Sequence, residues 1–136
     1  MSKIFFDTNI LVYSLDNFDK NKQNISRNLI KKVAIDSLGV ISTQVLQEFY
    51  VTATKKLIIE PLVVKDIIRS FEHFEVTTVN VNIIKEAIDC SIINRLSFWD
   101  SLIVVTAEFS NCEYLYSEDL NNGQIIRGVK IINPFL

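Results

Sequence analysis

The sequence predicts an α/β domain built on a mainly parallel sheet of four or five strands. Short apolar runs of strand type alternate with longer amphipathic stretches of helical period. The strands are short apolar runs, as expected when helices cover both faces of a sheet. The 136 residues match one ordinary domain with one core, and 49 % of them are apolar, with a mean hydropathy of +0.24.

Each element has a local reason. Lys3 to Phe6 is a short apolar run that meets Asp7-Thr8-Asn9, a strand followed by a helix start. Ile10, Leu11, Ser14 and Leu15 share a helical face, and the polar stretch Asn17 to Lys22 reads as a loop. Ile25, Leu29, Ile30, Val33 and Leu38 mark a second amphipathic helix, ended by Gly39. Val40-Ile41-Ser42 is a short strand, and a helix runs from about Thr43 to Lys56. Lys55 and Lys56 fall in its last turn, where the helix dipole favours cations. Pro61 suits the first turn of the next helix, which carries Val64, Ile67, Ile68 and Phe71. Glu75 to Val79 reads as strand. Asn80 and Ser97 open two further helices. Tyr114-Leu115-Tyr116 is a strand, Asn122-Gly123 turns the chain, and Val129 to Ile132 is the last strand.

Several classes are excluded. Gly and Pro number only 3 and 2, which argues against linkers and a second domain, so residues 1–136 are expected to form a single domain. No apolar run approaches the ~18 residues of a membrane span, and no signal-peptide pattern opens the chain. The expected location is cytoplasmic, with Cys90 and Cys112 as buried free thiols. The net charge of −2 is not that of a duplex-binding protein, so a nucleic-acid role needs a local basic patch or metal ions. The densest basic stretch, Lys20, Lys22, Arg27, Lys31 and Lys32, is expected to be a solvated helix face, with an RNA-facing rim as the alternative.

The informative residues are acidic. In open α/β sheets, ligands bind beyond the carboxyl ends of the strands. Asp7 ends the first strand, Glu48 lies in the helix after the second, and Asp119 follows Tyr114 to Ser117. Asp100 joins them if its helix starts at that edge. Each has a plain structural reading: Asp7 as a helix cap, Asp100 in a Ser97-x-x-Asp100 capping box, Glu48 as a solvated helix residue, Asp119 as a turn residue. Their convergence on one rim points further. Gathered carboxylates raise one another's pKa or demand a cation, and an all-oxygen set suits Mg²⁺ or Mn²⁺. The single histidine, His73, supports no Ser/His/Asp set, and no phosphate-binding glycine loop occurs. An acidic pocket without a nucleophilic side chain suits phosphodiester hydrolysis by a metal-activated water, with one ion or two ~4 Å apart.

Four stretches taken together resemble a known family: FFDTNILVY at the start, ISTQVLQEFY (Ile41–Tyr50), SFWDSLIVVTA (Ser97–Ala107) and LYSEDL (Leu115–Leu120), closed by IINPF. They resemble the PIN domain, and within it the VapC-type toxin ribonucleases of bacterial toxin–antitoxin pairs. The resemblance implies a three-layer α/β/α sandwich and Mg²⁺- or Mn²⁺-dependent cleavage of single-stranded or structured RNA. It implies Asp7, Glu48, Asp100 and Asp119 as the catalytic, metal-holding acids, with Thr8, Asn9 and Ser117 orienting ligands or water. Glu118 is the alternative to Asp119. It also implies a homodimer and a cognate antitoxin protein. Tyr50 and Trp99 can stack on bases, but core packing is the expected role of both. Two competing classes are a non-catalytic scaffold that binds RNA or protein and a receiver-like phosphoacceptor domain. The latter wants adjacent acids after the first strand, where this chain has Asp7 alone.

Overall fold

The computed structural model describes all residues, 1–136. In chain order the elements are β1 (Lys3–Phe6), α1 (Thr8–Tyr13), α2 (Lys20–Asp36), β2 (Gly39–Ser42), α3 (Thr43–Lys55) and α4 (Pro61–Arg69). A 3₁₀ turn (Ser70–His73), β3 (Glu75–Thr77), α5 (Val81–Asn94), α6 (Phe98–Phe109), β4 (Cys112–Tyr116), β5 (Ile125–Ile126) and β6 (Val129–Ile132) follow. The sheet order is β3-β2-β1-β4-β6-β5, and all neighbours are parallel except β5 and β6. No helix is long and apolar enough to cross a membrane.

The order reverses at β1. The chain steps outward from β1 to β2 to β3, then returns across the sheet to β4 on the other side of β1. Right-handed crossovers therefore put α1 to α4 on one face and α5 and α6 on the other. Aromatic packing marks the first face. Phe6 meets Phe74 edge-on at 5.1 Å, Phe74 meets Phe71, and Phe71 meets Phe49 of α3. On the second face, Val40, Phe5, Leu115 and Ile131 stand in register across four strands and are all buried. This is the three-layer α/β/α sandwich with a mainly parallel sheet.

The helix starts explain why the rim is polar. Ser42 ends β2 and caps α3, its Oγ accepting from Val45 N at 3.2 Å. Asp7 follows β1 and caps α1, accepting from Thr8 N at 2.7 Å. A residue that must leave a strand and satisfy a helix N–H is a small polar one. The same edge therefore collects Asp, Ser and Thr.

Local expectations shift in three places. Five parallel strands form as expected, but a sixth, Ile125–Ile126, pairs antiparallel with β6. Its two-residue turn is Arg127-Gly128, both at positive φ (52° and 81°), a hairpin without the usual Asn-Gly signal. α2 starts earlier than expected, at Lys20, because Asp19 caps it through Lys22 N. It ends on Ser37 in the left-handed conformation, not on Gly39.

Gly39 instead permits close approach. A Cβ there would lie 2.6 and 2.7 Å from the two Val33 methyls and 2.8 Å from the Phe74 ring. All three groups are packed, so none can yield freely. Gly39→Ala is expected to cost about 1–3 kcal/mol by overpacking, read as a lower urea midpoint with an unchanged m-value.

Candidate active site

The C-terminal ends of β1 and β4 meet at the point where strand order reverses, and a cleft of about 410 Å³ opens there. Asp7, Glu48, Asp100 and Asp119 all line it. Asp7 is held by the sheet itself: its N–H donates to Tyr116 O at 2.9 Å, extending the β1–β4 ladder by one residue. Ser117 lies next door in β4's extension, its N–H donating to Ile132 O at 3.0 Å.

Small polar side chains tie the acids together. Ser117 Oγ, fully buried, donates to Asp7 Oδ2 at 2.7 Å and accepts from Asp119 N at 3.2 Å. Asn9 Nδ2 donates to Asp119 Oδ2 at 2.9 Å and lies 3.5 Å from Asp7 Oδ2. Thr8 Oγ1 donates to Glu48 Oε1 at 2.8 Å. Asp7, Asp119 and Glu48 are thus joined in one hydrogen-bonded set through Ser117, Asn9 and Thr8. Asp100 sits in the first turn of α6, with its N–H on the capping Ser97 Oγ and its carboxylate unpartnered by these groups. The capping readings of Asp7 and Asp100 are therefore present alongside their place in the cleft.

Asp7 carries the electrostatic strain. It is 6 % exposed, and burial pushes its carboxyl from 3.8 up to about 7. Hydrogen bonds from Ser117 and Thr8 oppose the shift, while the charges of Asp119 and Glu48 add to it. Glu118 behaves differently. Burial works against its charge, but Lys22 Nζ at 2.5 Å and Tyr13 Oη at 2.6 Å outweigh that and hold its carboxyl below the ordinary value. It is occupied as half of an ion pair, while the neighbouring Asp119 faces Asn9 and is exposed.

Other cleft residues went unforeseen. Gln44, Thr52 and Lys56 line it together with the expected Glu48, the four recurring every fourth residue on one face of α3. That spacing was the available signal. Gln44 Nε2 donates to Trp99 O at 3.2 Å, pinning α6 to α3, and its buried Oε1 accepts no hydrogen bond. Asp16 also lines the cleft, from the segment after α1. The expectation of core packing for Trp99 and Tyr50 fails. Trp99 is 61 % exposed on the cleft wall and Tyr50 is 40 % exposed, because both stand on helix faces turned away from the sheet. The basic stretch divides. Lys22 is bound to Glu118, while Lys20, Arg27, Lys31 and Lys32 are exposed on α2.

Nucleophilic alternatives find no support. His73 is exposed on the 3₁₀ turn. Cys90 and Cys112 are buried free thiols, and burial pushes Cys112 up to about 12. As the side chains stand, no three Asp, Glu, His or Cys groups close on one point tightly enough to enclose an ion. The donor set nevertheless suits a hard cation in kind: every donor is a carboxylate oxygen, and one of them is buried at an energetic cost that a cation removes. Closure requires Glu48, Asp100 and Asp119 to rotate, and all three keep solvent-accessible side chains.

The PIN domain family model matches residues 4–124. The chain belongs to the PIN domain family. No curated protein matches the sequence. Among solved structures, this PIN domain is similar to Mycobacterium tuberculosis VapC20, a sarcin–ricin loop cleaving toxin. The TM-score is 0.71 at 16 % identity, covering 85 % of this chain and 88 % of that one. It is also similar to a Klebsiella pneumoniae toxin–antitoxin complex, with a TM-score of 0.67 at 20 % identity over 97 % and 98 % of the two chains. The DNA-bound VapBC of Salmonella typhimurium gives a TM-score of 0.69 at 20 % identity over 96 % and 97 %. At such identities the likeness establishes a common fold. Asp7, Glu48, Asp100 and Asp119, with Thr8 and Asn9, line one cleft, and the buried Ser117 is bonded to Asp7 beneath it.

Proposed function

We propose that this PIN domain is a divalent-metal-dependent endoribonuclease and the toxin of a toxin–antitoxin pair, acting in the cytoplasm as a single domain. One observation carries the reading: Asp7, Glu48 and Asp119 are linked through Thr8, Asn9 and Ser117 at the switch point of the sheet, with Asp100 on the facing helix start. The structural likeness to VapC-type toxins supports it.

Asp7, Glu48, Asp100 and Asp119 would hold Mg²⁺ or Mn²⁺. Such an ion, when bound, would supply a water of lowered pKa and offset charge on the leaving oxygen. The chain's own residues do the positioning. Ser117 fixes Asp7 Oδ2 while Asn9 holds Asp119 and Thr8 holds Glu48 beside it, so these three carboxylates stand together at the cleft from which they would close on the ion. The Gln44 Oε1 acceptor, still without a donor, lies on the same cleft wall.

The likeness to toxin–antitoxin complexes supports a cognate antitoxin as partner. A homodimer is supported by the apolar outer face of α5, where Val81, Ile84, Ile88 and Ile92 are 66, 37, 46 and 72 % exposed at helical spacing.

A non-catalytic scaffold is the second reading, favoured by the absence of three carboxylates already closed on one point. Calorimetric titration with Mn²⁺ separates the two. The ribonuclease reading expects binding that weakens at least about tenfold in Asp100→Asn, together with loss of RNA cleavage by that variant. Absence of both Mn²⁺ binding and RNA cleavage in the parent would leave the scaffold, and full cleavage by Asp100→Asn would remove Asp100 from the catalytic set.

A further inference from the structure

The cleft contains an unusual pair of features. Six carboxylates line it (Asp7, Asp16, Glu48, Asp100, Glu118 and Asp119), and Lys56 is the only basic residue among its walls. Phosphate contacts therefore supply little of the affinity for a polyanion, since these come chiefly from Lys and Arg. On the same wall stands Trp99, 61 % exposed, the residue immediately before Asp100. An indole left this open has apolar area still to bury.

Trp99 is also held still. Ser97 caps the helix that begins at Phe98, the Phe98 ring packs edge-on against the indole at 5.1 Å and 76°, and Gln44 donates to the Trp99 carbonyl. A fixed aromatic side chain, open to solvent beside a carboxylate rim, matches the stacking surfaces on which single-stranded nucleic acid lies. A base inside a duplex is already stacked on both faces and cannot reach such a surface without being unpaired.

We infer that Trp99 is the stacking platform for an unpaired RNA base next to the scissile phosphate. Stacking tolerates any base, so the platform selects for absence of pairing more than for sequence. This inference rests on the ribonuclease reading above and names a residue that positions the substrate at that site.

Trp99 is the only tryptophan in the chain, so its emission reports on this position alone. The experiment titrates the Asp7→Asn variant, in Mg²⁺, with a short unstructured oligoribonucleotide and with the same strand annealed to its complement. Binding is followed separately by anisotropy of a dye on the RNA. The single strand is expected to quench Trp99 emission along the anisotropy isotherm, and the duplex is expected to leave it unchanged. In the otherwise native protein, Trp99→Ala should raise KM for the unstructured strand about tenfold with kcat little altered. Trp99→Phe should recover most of the loss, and the melting temperature should stay near that of the parent.

Four results would overturn the inference. If RNA saturates the anisotropy signal while emission stays flat, or if Trp99→Ala cleaves with an unchanged KM, the ribonuclease reading stands and only the stacking role falls. Emission that changes with protein concentration and not with RNA would assign Trp99 to a protein interface. If neither RNA form binds and none is cleaved, the ribonuclease reading fails first and the inference falls with it.

Discussion

Asp7→Asn is expected to abolish RNA cleavage, by roughly 10³-fold or more, and to make the metal-free protein more stable. The two effects share a cause. Asp7 is buried at the end of β1, its carboxylate held by Ser117 and Thr8 at the cleft floor, and burial raises its pKa from 3.8 to about 7. Between those values the folded protein keeps a proton that the unfolded chain has released. Stability therefore falls as pH rises from about 4 to about 7 and levels off above. One pKa unit corresponds to about 1.4 kcal/mol, so the penalty at pH 8 is about 2–4 kcal/mol. Asparagine removes it, because its amide oxygen still accepts from Thr8 N and Ser117 Oγ has lone pairs for its amide N–H. Urea unfolding in EDTA at pH 5 and pH 8 checks this: the variant should exceed the parent at pH 8 by more than at pH 5. Added Mg²⁺ should restore stability to the parent and not to the variant. A parent equally stable at both pH values would contradict the electrostatic account, and retained cleavage would contradict the function.

Phe6→Ala is expected to destabilise the fold by about 3–5 kcal/mol, a large part of the ~5–15 kcal/mol total stability typical of a domain. Phe6 is 1 % exposed and packs on Phe74 at 5.1 Å and Tyr116 at 5.4 Å. It links three elements: β1, β4 and the segment after the 3₁₀ turn. The side chains around it belong to strands tied by backbone hydrogen bonds, so the cavity cannot collapse freely. The next residue is Asp7, so the same change loosens the cleft floor. Thermal unfolding should drop by roughly 10 °C or more, and Phe6→Leu, which retains most of the volume, should lose less than half as much.

The acids were legible because their environment is local. Each of Asp7, Glu48, Asp100 and Asp119 lies at or within about two turns of the end of a strand or the start of a helix, and element boundaries are readable from apolar runs and capping residues. Trp99 was not legible. An aromatic residue inside SFWDSLIVVTA looks like core, since most of that helix is buried. Only the rotation of α6 against the sheet decides that Leu102 and Ile103 face inward and Trp99 outward. Gly39 was misread for a related reason. A glycine after a helical run resembles a helix terminator, whereas its need comes from Val33 and Phe74, the latter far along the chain. The Arg127-Gly128 hairpin carried no turn signal, because its positive φ at Arg127 is imposed by the pairing of Ile126 with Val129.

By itself the sequence determined the α/β class, the order of elements and the identity of the acids at strand ends, because hydrophobic period and capping chemistry act over a few residues. Tertiary structure alone decided which acids are linked and which is strained. Ser117 and Asp7 are 110 positions apart, as are Asn9 and Asp119, and they meet only because β4 lies beside β1 in the sheet. Glu118, one residue from Asp119, is instead engaged by Lys22 and Tyr13, and Lys22 lies on a helix turn that the sequence reading placed in a loop. Strand order and helix rotation are set by the packing of the whole core, and that packing put one carboxylate out of reach of water and one tryptophan within it.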